Sequence, residues 1–124
     1  MSLLTLKAYT ELIRIDFCLS RKDFAGMYER LRRTPVGAAP GNPDAIEAIG
    51  GAVDRASVWY WKQVSCLHRS AATTCLLRTA GFAAQLVIGA QTVPFQAHAW
   101  VEVDGKVVND KPYVAELYAV LDRC

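Results

Sequence analysis

Apolar residues recur with a helical period through the first two-thirds of the chain and with a strand period after it. Leu3, Leu6, Tyr9, Ile13 and Phe17 form one stripe, and Phe24, Met27, Tyr28 and Leu31 form a second. Between them, Ser20 and Asp23 have the spacing of a capping box. Residues 34–43, TPVGAAPGNP, hold three prolines and two glycines and read as a loop. Asp44 then caps a third helix whose apolar positions are Ile46, Ile49, Val53, Ala56 and Tyr60. Gly50 and Gly51 inside it each cost about 1 kcal/mol relative to alanine, which predicts a bend or a close packing contact there. A fourth helix opens near Ser65 and ends at Gly81, with Arg78 in its last turn where a cation suits the dipole.

Beyond Gly81 the period changes to two. Residues 83–90 (AAQLVIGA) read as a buried strand, 97–103 (AHAWVEV) as an alternating strand, and 106–110 (KVVND) as a third. Asp104-Gly105 supplies the hairpin turn, and VAELYAVLD closes the chain as a short amphipathic helix. Helices first and a small antiparallel sheet afterwards give an α+β domain. A length of 124 residues with 52% hydrophobic content predicts one domain, 1–124: a helical prelude over 1–60, then a helix and sheet over 64–112.

A net charge of +2 is too small for a nucleic-acid footprint, and the one basic cluster, ERLRR at 29–33, reads as a solvated helix face. The N-terminus lacks a basic region followed by a small-residue cleavage site, and charges interrupt every apolar run, so neither export signal nor membrane span is visible. A cytoplasmic protein is expected, with Cys18, Cys66, Cys75 and Cys124 as thiols. No C-x-x-C pair occurs and only His68 and His98 offer imidazole, so no metal is expected.

With Ser65 as cap, Cys66 takes the first helical position, where free N–H groups and the positive dipole end favour a thiolate. His68 lies two residues along, a rotation of about 200°, so its ring points away and it reads as a surface or interface side chain. His98 sits on a strand, with Asp110 on the next, and Cys66, His98 and Asp110 together make a workable nucleophile, base and orienter. Each also has a plain structural account: Cys66 as a core thiol, His98 as a half-buried strand residue, Asp110 as a strand terminator.

The stretch from Cys66 to Asp110 resembles the transglutaminase-like cysteine proteases of lasso-peptide biosynthesis, the leader peptidases that cut a precursor before macrocyclisation. The matching features are the Cys-Leu-x-Arg-Ser start, Leu-Leu-Arg in the helix, Gly81 before AAQLVIGA, PFQAHAWVEVDG, and Asn109-Asp110. The resemblance implies that Cys66 attacks, His98 acts as base and Asp110 orients the imidazole, with no cofactor. Arg69 and Trp100 match family positions that suggest substrate binding. An oxyanion hole is expected from the Cys66 N–H, with Gln63 as a candidate second donor. Fused members carry a leader-recognition domain ahead of the protease, for which 124 residues leave no room. A stand-alone peptidase is therefore expected, served by a separate leader-recognition protein that docks on the ERLRR segment and N-terminal apolar stripes. Its partners would be the precursor's leader region and an ATP-using macrocyclase acting afterwards. Two alternatives stand beside this reading: acyl transfer on the same fold, and a non-catalytic module that binds the leader by strand addition.

A His98–Asp110 pair constrains the hairpin. A two-residue turn at Asp104-Gly105 sets Val103 opposite Lys106 and Ala99 opposite Asp110, which puts Asp110 on the wrong sheet face. A three-residue loop over 103–105, with Gly105 left-handed in a G1 bulge, pairs Glu102 with Lys106 and His98 with Asp110. The second register is expected.

Overall fold

The computed structural model describes residues 2–124. Helix α1 (Leu3–Ser20) opens at Ser2, whose Oγ accepts from the Thr5 N–H at 3.2 Å. Its inward face is not the expected stripe: Leu3, Leu6, Ile13 and Phe17 are 46–69% exposed, while Thr5, Ala8, Glu11, Leu12, Ile15 and Asp16 are buried. Two carboxylates can lie inside because distant partners neutralise them. Arg30 grips Glu11 with two bonds, Nε to Oε1 at 2.7 Å and Nη2 to Oε2 at 2.9 Å. Asp16 has four partners, described below.

Helix α2 (Phe24–Arg33) is capped by Asp23, whose Oδ1 accepts from Gly26 N at 2.8 Å; Ser20 belongs to α1 and donates to Asp16 instead, so the two do not form a capping box. Helix α3 (Pro43–Trp59) is capped not by Asp44 but by Asn42, whose Oδ1 accepts from Asp44 N (3.1 Å) and Ala45 N (3.4 Å). Pro43, with no N–H to leave unpaired, takes the first helical position. The helix runs unbroken through Gly50-Gly51. Helix α4 (Cys66–Thr79) starts after Ser65 as expected, and Gly81 beyond its end has φ +99°.

Ala8, Leu12 and Ile15 of α1, Val53 and Ala56 of α3, and Ala71 and Cys75 of α4 form the main core, closed by Leu86 and Ala99 of the sheet. Small residues on α4 let it approach both neighbours closely. Arg78 does not project at the helix end as a surface cation. It is buried, and its guanidinium donates to Leu31 O, Ala84 O and Cys124 O at 2.8–2.9 Å.

The sheet has four antiparallel strands, β1 (Ala84–Thr92), β2 (Phe95–Val103), β3 (Lys106–Val107) and β4 (Ala119–Arg123), in the order β3-β2-β1-β4. Only Val114–Leu117 (α5) of the expected C-terminal helix is helical. The remainder pairs with the free edge of β1, because unpaired strand groups are best satisfied by another strand. Arg123 fastens it by reaching across to buried Glu102, Nη1 to Oε1 at 2.5 Å.

The β2–β3 register departs from expectation. Val103 pairs with Lys106 and Glu102 with Val107, so Asp104-Gly105 is a two-residue turn. Asp104 (φ +53°) and Gly105 (φ +79°) are both left-handed, as a type I′ turn requires. Its twist matches that of the flanking strands, and this outweighed the charge pairing that favoured the longer loop. Strand β3 then ends at Val107 instead of running to Asp110. No described helix is long and apolar enough to cross a membrane.

Candidate active site

The early end of β3 leaves Val101 N and Ala99 O on the edge of β2 without main-chain partners, and two side chains take over. Asn109 Oδ1 accepts from Val101 N at 2.8 Å, while its Nδ2 donates to Ser70 Oγ at 3.0 Å. Ser70, one turn beyond Cys66 on α4, donates in turn to Ala99 O at 3.1 Å. Asn109 thus acts as a strand residue would, and the chain turns after it. Asp110 emerges beside His98, with Oδ2 2.5 Å from Nε2. The pair forms despite the refuted register, because the ladder stops before it would carry Asp110 to the other face.

Burial pushes the Asp110 carboxyl up. The hydrogen bonds from His98 and the Lys111 N–H, with the charges of His98 and Arg69, outweigh it and hold the carboxyl below its ordinary value. An ionised carboxylate only accepts, so Nε2 carries a proton and donates to it, while no described residue bonds to Nδ1. Both side chains are partly open, at 23% and 29% exposure.

His98 is held by aromatic neighbours. Tyr118 stacks on it at 5.2 Å between centroids, and Trp100 lies 6.1 Å away on the same sheet face. Gly89, the partner of His98 on β1, makes that possible: a Cβ there would stand 2.8 Å from the Trp100 ring and 2.9 Å from Tyr118 Cβ.

Cys66 stands at the first position of α4, partly buried against the main core. The backbone N–H groups of Cys66 and Leu67 donate to nothing among the described residues. No hydrogen bond joins Cys66 to His98. The link between them runs through Ser70, which ties the second turn of α4 to the main chain next to His98. His98 itself points with Trp100 to the face opposite Ala99.

The N-terminus of α4 is fixed by a network of its own. Ser65 Oγ accepts from His68 N, and the Ser65 N–H donates to His68 Nδ1 at 3.3 Å, so the imidazole completes a capping box. With Nδ1 accepting, Nε2 donates to Asp16 Oδ1 at 3.0 Å. Lys62 (2.8 Å), Tyr60 (2.9 Å) and Ser20 (3.2 Å) also bind this carboxylate. Burial raises the Asp16 carboxyl, but the bonds from Lys62, Tyr60 and His68 prevail and hold it low. His68 is thus no surface side chain: at 16% exposure it ties the Cys66 terminus to α1.

A family model described as transglutaminase-like superfamily matches residues 10–123. The chain belongs to the transglutaminase-like superfamily. Microcin J25-processing protein McjB of Escherichia coli is 43% identical over 56 residues, which cover 45% of this chain and 27% of that protein. The similarity thus spans about a quarter of the relative's length. No solved structure matches.

Of the other residues singled out in the sequence, the superfamily member leaves Gln63 exposed in the turn before α4, without a side-chain hydrogen bond among the described residues. Arg69 is exposed on α4, close enough for its charge to act on Asp110. Trp100 corrects expectation. It is fully buried, with Nε1 donating to Glu102 at 2.9 Å, so it packs beside His98 and offers a peptide no surface. Asn109, Ser70, Tyr118 and Asp16 were not picked out for these roles. The sequence signals for any of them were Ser70, which closes the Cys-Leu-x-Arg-Ser start, and Asn109 directly before Asp110.

Proposed function

We propose that this chain is a cysteine peptidase that removes the leader from a lasso-peptide precursor, with Cys66 as nucleophile, His98 as base and Asp110 as orienting carboxylate. The observation that carries the reading is the His98–Asp110 pair with Nδ1 free, tied through Ser70 to the helix that begins with Cys66. The similarity to McjB, whose name gives it microcin J25 processing, supports the substrate class.

In the proposed reaction the Cys66 thiol passes its proton to His98 Nδ1, and the sulfur attacks the carbonyl of the last leader residue. The oxyanion develops near the free Cys66 N–H at the positive end of α4. His98 returns the proton to the leaving amine, the new N-terminus of the core peptide. Water, deprotonated by His98, then hydrolyses the thioester to the leader acid and the free thiol. In the free chain no bond joins Cys66 to His98, which lies on the sheet face opposite the one α4 packs against, so the proton transfer between them requires the two to be brought together around the edge of β2 when the peptide binds. Arg69 stands at the rim, and Gln63 reaches the oxyanion only if the turn before α4 closes. The exposed Leu3, Leu6, Ile13, Phe17 and Phe24 of α1 and α2 support docking of a leader-recognition protein.

The test is to incubate the chain with a lasso-peptide precursor, with and without a leader-recognition protein, and to read product masses. Leader acid plus core amine is expected, and Cys66→Ala should yield neither. Cleavage by Cys66→Ala would overturn the assignment. Retained binding with no cleavage by the wild type would favour the binding-module reading, and capture of the leader by an added amine would favour acyl transfer.

A further inference from the structure

A groove of about 830 Å³ runs between α3 and the β2–β3 hairpin with Asp110 in its lining, within the usual size of ligand clefts. Its α3 wall holds Ile46, Glu47, Gly50 and Gly51, and its hairpin wall Val107 and Val108. Gly50 has no structural need to be glycine. The helix is continuous and right-handed through it, and a Cβ placed there would meet nothing within 4 Å. The close contact or bend expected from a Gly-Gly pair is absent at Gly50, and what the residue provides is open space in the middle of the wall.

The opposite wall is a strand edge. Val103 and Lys106 flank the type I′ turn, and Val108 N bonds back to Val101 O. The N–H and C=O of Val107 between them therefore point outward, by the alternation of an antiparallel ladder. A free strand edge facing a cleft is the geometry that accepts an extended peptide. The lining charges are mixed, Glu47, Asp54 and Asp104 against Lys106 and Lys111, with Asp110 bound to His98, so no single charge sign is selected.

We propose that this groove receives the substrate polypeptide as an extended strand beside Val107, with one peptide side chain filling the space over Gly50 on its way to the His98–Asp110 pair. This deepens the peptidase reading and rests on it for the direction of the strand, but not for binding itself. The test therefore reads binding and cleavage separately. Gly50→Leu and Gly50→Ala are made in the wild-type and Cys66→Ala backgrounds, with a fluorescein-labelled lasso-peptide precursor as probe.

Gly50→Leu should melt at or above the wild-type temperature, since any side chain favours the helix over glycine. It should weaken peptide binding to the Cys66→Ala protein at least tenfold and raise KM for cleavage in step, with Gly50→Ala intermediate. Unchanged binding in Gly50→Leu would overturn the proposal, and so would a lowered melting temperature, which would mean that the space is not open. If wild type fails to cleave while Gly50→Leu still weakens binding, the peptidase reading falls and the groove stands.

Discussion

Asn109 replaces one missing rung of the β2–β3 ladder and braces Ser70, which replaces the next, and its removal has a calculable cost. In Asn109→Ala the buried Val101 N–H loses its acceptor, at about 1–3 kcal/mol, and buried Ser70 loses one hydrogen bond, at about 0.5–1.5 kcal/mol. The sum, about 1.5–4.5 kcal/mol, lowers Tm by roughly 6–18 °C at about 4 °C per kcal/mol for a domain of this size. Asn109→Asp keeps the acceptor for Val101 but places a second acceptor against Ser70, whose single hydrogen already serves Ala99 O. About 1–2 kcal/mol is expected there. Both variants free the segment that carries Asp110, so cleavage should fall further than the lost stability alone explains. The assays are urea unfolding and cleavage of the precursor at a temperature where each variant remains folded. An Asn109→Ala protein with wild-type Tm and wild-type cleavage would refute the idea that this amide positions Asp110.

Asp16 should make the protein acid-labile in a defined window. Its carboxyl is held below the ordinary value of 3.8, so its contribution is complete above that pH and disappears as pH falls through the lower folded value. Urea unfolding of wild type and Asp16→Asn should differ at pH 6 and converge toward pH 2; a constant difference would contradict the network. Arg78→Met removes three bonds to main-chain oxygens and should cost about 3–5 kcal/mol by urea unfolding. A loss under 1 kcal/mol would return Arg78 to the role of a surface cation.

The sequence carried the helical half and the Ser65 cap, because local spacing determines them, and it carried the His98–Asp110 pair through the chemistry of a nucleophile, base and orienter. The face of α1 was not legible. Glu11 and Asp16 read as solvent-facing until partners 19 to 52 residues away are known. The C-terminal strand was missed for a similar reason: VAELYAVLD is compatible with a helix, and the unpaired edge of β1, with Glu102 waiting for Arg123, decides its state. The hairpin shows a subtler failure. His98 and Asp110 were correctly matched, but through a register that assumed the ladder must carry them together. Asn109, an amide able to imitate a strand's N–H and C=O, removes that assumption. Trp100 was taken for a binding residue because it matches a family position; Gly89, across the sheet, provides the space in which it is buried.

The central claim, that Cys66 is an activated nucleophile served by His98, is tested most directly by the rate of alkylation at each cysteine across pH, read by peptide mass after brief iodoacetamide exposure. Cys75 is the internal reference, because burial pushes its thiol up to about 12. Cys66 should react fastest of the four, with that advantage lost in His98→Ala. Labelling of Cys66 no faster than Cys18, or a Cys66 rate unchanged by His98→Ala, would contradict the account.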